Sequence, residues 1–311
     1  MRDARIGVVG ATGAVGPVAL QLLRERGYDN VRGFASARSV GRTVDGITVE
    51  EATPETLGAG DLDYCFFAIG TAGSRELVPH AVAGGAICID KSEAYRLADG
   101  IPLVVPEVNG DRAFDNDGIV ANPNCGAIPL TCALKPLHDA AGLRRVRIAT
   151  YQAASGAGTD AMERLRALTT DETDISVDWD FDGEEFDEEA KLRAETQKIL
   201  ELPDLPISAT CFRVPVMVGH TEVVWVETEE PLDARTATAA LASAPGLRLV
   251  DVPTSGRAAG LDDVAIGRVR RDRAAETGLT FVVACDNLRK GAALNAVQIL
   301  ERLLQRRAVA A

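Results

Sequence analysis

The chain of 311 residues has three histidines, two tryptophans, and six cysteines of which no two form a C-x-x-C pair. Zinc sites and disulfide frameworks need cysteines at tight, patterned spacing. Cys65, Cys88, Cys125, Cys132, Cys211 and Cys285 do not show it. No metal site is expected, and a reduced, cytoplasmic setting is. No apolar run approaches the roughly 18 residues that suggest a membrane helix. The N-terminus runs straight into a strand-and-glycine pattern, without the basic and apolar regions of a secretory leader. Positive charge is also scarce: 33 Lys and Arg face 46 Asp and Glu, for a formal charge of −13. That balance disfavours nucleic acid, whose binding rests on basic side chains neutralising phosphates. Nucleic acid and membrane are therefore both excluded as expected partners, and an anionic ligand would need local Arg or Lys.

The segment Ala121-Asn122-Pro123-Asn124-Cys125-Gly126-Ala127-Ile128 is the most informative part of the chain. It places one cysteine after a Pro-Asn turn, where an apolar, helix-patterned run begins. Unpaired N–H groups and the macrodipole at a helix start favour an anion, so a thiol there ionises more readily. Cys125 is a candidate nucleophile; a buried structural cysteine is the alternative that fits most cysteines.

Strands and helices alternate up to this point. Strands fit Arg5–Gly10, Val31–Ala35, Tyr64–Ile69, Ala86–Asp90 and Ile119–Ala121, with helices over Pro17–Arg26 and Ser74–Ala83. This pattern implies an α/β fold whose N-terminal domain, residues 1–124, is a Rossmann-like doubly wound parallel sheet. Beyond it, a helix over Cys132–Ala141 and strands over Arg145–Gln152, Thr221–Thr228 and Leu279–Asp286 suggest an α+β domain with a mixed or antiparallel sheet, residues 125–286. The amphipathic run Asn287–Arg307, within a C-terminal helix over 287–311, is expected to pack back on the first domain. Asp171–Glu189 is rich in acid and lacks Lys and Arg, and reads as a solvated loop or helix face. Its Trp179, Phe181 and Phe186 suggest that it docks on something, such as a partner subunit.

Gly10, Gly13 and Gly16 form G-x-x-G-x-x-G at the first strand–helix junction, a variant of the dinucleotide fingerprint. The turn residues Gly10, Thr12, Gly13, Ala14, Val15 and Gly16 are the candidate pyrophosphate cradle. An NAD site usually carries an acid at the end of the second strand, to accept from the ribose 2′-hydroxyl. This chain has Ser36, Arg38 and Ser39 there, a guanidinium fork and two hydroxyls suited to a 2′-phosphate. NADP is the expected cofactor.

Together GATGAVG, SARS, VVPEVN (Val104–Asn109), NPNC, YQAASGAG, the ET-KI helix near Glu195, RVPV-GH and DNLRKGAA (Asp286–Ala293) resemble the aspartate-β-semialdehyde dehydrogenase family across nearly the whole chain. The resemblance implies NADPH-dependent reductive dephosphorylation of L-aspartyl-4-phosphate to L-aspartate-4-semialdehyde through a thioacyl intermediate on Cys125. It implies His220 as general acid/base and Gln152 as the residue orienting the acyl group. Arg213 would hold the substrate carboxylate, Arg96 and Lys191 the acyl phosphate, and Glu188 the substrate ammonium. Asn124 would contact phosphate or oxyanion. Ser155, Gly156 and Asn287 join the cofactor-binding set. A homodimer or dimer of dimers is implied too.

The chain departs from the family pattern in two places. The segment between YQAASGAG and the ET-KI helix is shortened, and Cys125 is followed by Gly126-Ala127-Ile128-Pro129 where Ser-Thr-Ile-Gln is more familiar. Three alternatives stay open. One is another acyl-phosphate reductase, of the N-acetyl-glutamyl-phosphate type; another is a paralogue acting on a modified aspartate; the third is a non-catalytic NADP-binding regulator. Each of His220, Gln152, Arg213, Arg96, Glu188 and Lys191 taken singly has a structural explanation. His80 and His138 have no comparable company.

Overall fold

A computed structural model describes residues 3–167 and 179–310 of the chain. They divide into two compact units, Met1–Pro123 with Ala292–Ala311, and Asn124–Gly291.

In the first unit the strands are β1 (Ile6–Val9), β2 (Val31–Ala35), β3 (Thr43–Val44), β4 (Ile47–Glu51), β5 (Tyr64–Phe67), β6 (Ile87–Asp90) and β7 (Ile119–Ala121). They form one sheet in the order β3-β4-β2-β1-β5-β6-β7. All pairings are parallel except β3 with β4. The central strands β1 and β5 are buried along their whole length, which is why they read as continuous apolar runs and not as alternating ones. The helices are α1 (Gly16–Glu25), α2 (Pro54–Leu57), α3 (Thr71–Ala83) and α4 (Pro106–Asn109). Pro17 opens α1, where its missing N–H costs nothing.

The β3–β4 hairpin was not anticipated, although its signal is in the sequence. Asp45-Gly46 is a two-residue loop with both φ angles positive, 50° and 83°, as a type I′ hairpin turn requires. The strands themselves are too short and polar to show a hydrophobic pattern.

The second unit contains α5 (Ala127–Ala141), β8 (Leu143–Gln152), α6 (Thr159–Ala167), α7 (Asp187–Leu200), β9 (Ile207–Arg213), β10 (His220–Thr228), α8 (Ala234–Ser243), β11 (Leu247–Leu249), α9 (Ser255–Ala258), β12 (Val264–Arg271) and β13 (Gly278–Cys285). Its sheet runs β11-β12-β13-β10-β8-β9. The central pairs are antiparallel, and the outer pairs β8–β9 and β11–β12 are parallel, so the sheet is mixed. Strands β9, β11 and β12 and helix α8 were not read from the sequence. Phe181 pairs across a tight turn with Phe186, and residues 171–178 of the acidic segment lie outside the described residues.

Register in this sheet decides which side chains share a face. Arg213 pairs with Gln152, and His220 with Cys285, at the ends of neighbouring strands. Two residues further in come Cys211 paired with Thr150, Thr150 with Glu222, and Glu222 with Val283. Because side chains alternate with period two, these two rows point to one face.

Helix α10 (Leu294–Ala310) belongs to the first unit and starts after a π-helical turn, Arg289–Ala293. It therefore begins later than the expected 287. Ala296, Val297 and Leu300 line one small apolar space with Ile6, Leu23, Tyr64, Phe66 and Ile89, and Arg26 bonds Glu301 at 2.8 Å. Burying a Val or Leu side chain is worth roughly 1.5–3 kcal/mol, against about 0–1 for a half-exposed ion pair. The apolar face holds this helix, and the ion pair adds little.

Candidate active site

Asn124 builds the local structure at the cysteine. Its side-chain oxygen accepts from the Gly126 N–H at 2.7 Å, and its carbonyl accepts from the Ile128 N–H at 3.2 Å. The side chain thus closes a turn onto the backbone two residues on, just ahead of α5. Cys125 therefore sits in the turn leading into α5, as a partly exposed residue. The other five cysteines are all buried. Burial pushes the thiols of Cys65, Cys88, Cys211 and Cys285 up, away from ionisation. Reactivity is thus focused on Cys125 by exposure and position.

The imidazole of His220, 1% exposed, lies beside it, with Nε2 3.1 Å from Cys125 Sγ. The other ring nitrogen, Nδ1, accepts from the Ala153 N–H at 3.0 Å. A nitrogen that accepts has no hydrogen of its own, so the neutral ring carries its proton on Nε2 and donates it toward sulfur. Burial, with the nearby Arg213 charge adding to it, pushes the His220 pKa down to about 3. In the resting site the ring is therefore neutral, with its Nε2–H facing sulfur.

Ala153 also ties in Arg213, whose Nη1 donates to the Ala153 carbonyl at 2.9 Å. The guanidinium stacks on the Trp179 ring, 4.6 Å from its centroid. A Cβ on Gly156 would lie 2.9 Å from Arg213 Nη1 and 3.2 Å from His220 Nε2. Glycine there lets the turn after β8 close over both groups.

Glu188 is buried between two amides. Asn124 Nδ2 donates to its Oε1 at 3.0 Å and Gln152 Nε2 to the same atom at 2.9 Å. The amides of Asn124 and Gln152 thus hold an acid in place. Lys191, one turn on, donates to Asp187 at 2.6 Å. Glu195, buried, accepts from the Asn124 N–H at 2.6 Å and supports the same turn from α7. Ser155, Asn287 and Gly219 form another linked group: Asn287 Nδ2 donates to Ser155 Oγ at 2.9 Å, and Asn287 Oδ1 accepts from the Gly219 N–H at 2.8 Å. In the first unit Arg96 is buried, its guanidinium donating to the carbonyls of Asn122 and Lys91.

Three residues of the second unit's site escaped the sequence reading. Ala153 works through its backbone and has no side-chain signal. Trp179 was noticed only as an aromatic in an acidic stretch. Glu222 had a usable signal: two residues from His220 on an alternating strand, it must share the histidine's face.

The space left by the glycine turn bears on a dinucleotide. Gly10 has φ 90°, and a Cβ there would meet the Ala68 carbonyl at 2.5 Å; at Gly16 a Cβ would come within 2.2 Å of the Gly10 carbonyl. At Gly13 the nearest atom is 3.4 Å away, so the loop's middle stays open to a close-lying group. Thr12 Oγ1 bonds Ser39 Oγ at 3.3 Å, and Arg38 is exposed at the end of β2. These residues fit a dinucleotide phosphate cradle with a basic ribose end. Gly16→Ala is expected to weaken NADPH binding at least tenfold in a fluorescence titration, because the nearby carbonyl is backbone and cannot swing away.

Residues 5–115 match the family model "Semialdehyde dehydrogenase, NAD binding domain". Residues 134–179 and 175–290 match "Semialdehyde dehydrogenase, dimerisation domain", in two pieces that meet within the acidic segment. The aspartate-semialdehyde dehydrogenase of Corynebacterium glutamicum is 41% identical over 343 aligned residues, covering 96% of this chain and 99% of the relative. That of Aquifex aeolicus is 39% identical, covering 97% and 98%. Among solved structures, aspartate semialdehyde dehydrogenase II from Vibrio cholerae superposes with a TM-score of 0.92 at 37% identity, over 97% of this chain and 99% of the other. A structure of the Vibrio cholerae enzyme complexed with ASA superposes equally well, at 36% identity over 97% and 98%. Among the described residues no helix is long and apolar enough to cross a membrane.

Proposed function

The chain belongs to the aspartate-semialdehyde dehydrogenase family, and from that premise we propose how its residues perform NADPH-dependent reduction of L-aspartyl-4-phosphate to L-aspartate-4-semialdehyde and phosphate. The observation that carries the reading is the 3.1 Å approach of His220 Nε2 to Cys125 Sγ at the start of a helix. Attack of the Cys125 thiolate on the acyl carbon forms a C–S bond and breaks the bond to phosphate oxygen, leaving a thioester. The departing phosphate takes up the one proton that the reductive direction consumes. His220, whose Nε2 faces the sulfur, serves as the general acid/base, its Nε2–H donating to sulfur and to the oxyanion formed beside it. NADPH, held by the Gly10–Gly16 turn with Ser36, Arg38 and Ser39, supplies hydride when bound. Ser155, Gly156 and Asn287 complete the set assigned to the cofactor.

The rest of the site reads the substrate. Arg213, stacked on Trp179 and anchored to Ala153, offers its fork to the α-carboxylate. Glu188, fixed by two amides, offers a carboxylate to the α-ammonium, while Arg96 and Lys191 supply cations for the phosphate. Asn124 holds the turn that carries Cys125 and positions Glu188. The second unit contributes to a homodimer, and the sheet face opposite the site suits that contact. Tyr151 and Phe212 stack there at 6.1 Å and are 39% and 50% exposed. A cytoplasmic location fits six unbridged cysteines.

Assay in the oxidative direction tests the reaction: aspartate semialdehyde, NADP and phosphate should give NADPH, and omitting phosphate should stop it. Glu188→Gln separates the substrate readings. It is expected to raise KM for aspartate semialdehyde at least tenfold, the effect of losing a buried charge partner. Equal activity on N-acetyl-glutamate semialdehyde before and after the change would favour the acetylated substrate instead.

A further inference from the structure

The acidic segment ends in three aromatic rings, Trp179, Phe181 and Phe186. These rings dock within their own chain. Phe186 packs against both others, its centroid 6.1 Å from that of Trp179 and 5.2 Å from that of Phe181. The turn that carries them is fixed to the start of α7. The Asp187 N–H donates to the Asp180 carbonyl at 2.9 Å, and the Phe186 N–H donates to Glu189 Oε2 at 2.9 Å. Arg193 grips the Glu185 carboxylate through both terminal nitrogens, at 2.5 and 2.6 Å. A forked pair of this kind holds its geometry better than a single-contact surface pair.

Trp179 is thereby held against Arg213, whose guanidinium carbon lies over the indole ring, 4.6 Å from its centroid. An indole face attracts a cation within about 6 Å, more strongly than the other aromatic rings do. Arg213 is half-buried, and its Nη1 donates to the Ala153 carbonyl at 2.9 Å. With a ring over one face, the guanidinium is approached by an anion best at its edge and in its plane. That is where two parallel N–H···O bonds to a carboxylate form. Ordering a long side chain at the moment of binding weakens affinity, and a side chain ordered in advance avoids that loss. The match to the dimerisation-domain model breaks into the pieces 134–179 and 175–290. Trp179 therefore stands where this chain departs from the family pattern, just ahead of the helix that carries Glu188 and Lys191.

We propose that Trp179 is a positioning residue that orders the Arg213 guanidinium in advance for an α-carboxylate, so that the end of the acidic segment forms one wall of the substrate site. The proposal deepens the reading above and rests on Arg213 holding that carboxylate. Trp179 takes no part in acyl, hydride or proton transfer, so its loss should appear in KM for the substrate and not in kcat.

Steady-state assay of the full chain in the oxidative direction tests it, with aspartate semialdehyde and phosphate varied separately. Trp179→Leu keeps an apolar side chain but no π face. It should raise KM for aspartate semialdehyde about tenfold, leaving kcat and KM for phosphate within about twofold of native. Trp179→Phe keeps a π face and should hold that KM within about threefold of native. The proposal fails if Trp179→Leu has the native KM for aspartate semialdehyde, or if Trp179→Phe is as poor as Trp179→Leu. It also fails if kcat or KM for phosphate moves in step, as a general disturbance of α7 would make them do. Should Trp179→Leu not fold, Trp225→Phe leaves Trp179 as the single indole, since the chain has two tryptophans. Its emission should then change saturably as aspartate semialdehyde is added without phosphate or cofactor, and unchanged emission would overturn the proposal. Arg213→Lys separates the two failures, because it keeps the charge and loses the fork. A native KM in that variant would overturn the role of Arg213 itself. A raised KM there, beside a native KM in Trp179→Leu, would overturn the role of Trp179 alone.

Discussion

Cys125→Ala is expected to bind NADPH normally and to lose about four orders of magnitude or more in kcat, the scale seen when a covalent nucleophile is removed. Cys125→Ser should be nearly as inactive, and this is the sharper result. A serine hydroxyl becomes a nucleophile only when a base takes its proton. His220 offers sulfur a hydrogen-bond donor, because the Ala153 N–H occupies Nδ1 and fixes the proton on Nε2. A thiol beside a helix start ionises without that base, and an alcohol does not. The assay is NADPH oxidation with aspartyl phosphate, alongside a cofactor titration and circular dichroism to confirm folding. If Cys125→Ser kept more than about one per cent of kcat, the reaction would not depend on a readily ionised thiol.

The sequence made some of this legible and hid the rest for identifiable reasons. Strands β1, β5 and β6 announce themselves because burial on both faces demands unbroken apolar runs. Cys125 and the glycine turn are visible because each needs a special residue at a fixed place. Strand β9 stayed hidden: Ile207-Ser208-Ala209-Thr210-Cys211-Phe212-Arg213 mixes small, polar and aromatic side chains, and as an edge strand it is only partly buried. Yet β9 delivers Arg213 beside Gln152. Ala153 was beyond reach, since its amide and carbonyl join His220 to Arg213 without any side-chain role. Glu222 was within reach, because β10 alternates and Glu222 has the same parity as the buried Val224 and Val226.

The two buried titrating groups on β10 should shape stability against pH in opposite senses. His220 has its folded pKa lowered to about 3 from 6.5. Above pH 6.5 the ring is neutral in both states and its burial carries no protonation penalty. As pH falls from 6.5 toward 3 the unfolded chain binds a proton that the folded chain refuses, so stability is lost across that window. The loss is about 1.4 kcal/mol per pH unit, or about 2 kcal/mol by pH 5. Glu222 has its folded pKa raised well above 4.5. Below pH 4.5 both states are protonated, and above it the unfolded chain releases a proton that the folded chain keeps. Stability then falls with rising pH at the same slope until the folded pKa is reached. Urea unfolding at fixed protein concentration reads both effects. His220→Gln should flatten the loss between pH 6.5 and 4.5, and Glu222→Gln should gain stability over the native protein at pH 8 relative to pH 4.5. Parallel curves for native protein and Glu222→Gln would mean that Glu222 ionises normally. The predicted optimum for these two groups therefore lies between about pH 4.5 and 6.5, below the pH at which a thiolate is most abundant. By that reckoning the buried acid on β10 costs stability as the pH rises above 6.5, and replacing it with the uncharged amide should recover that loss.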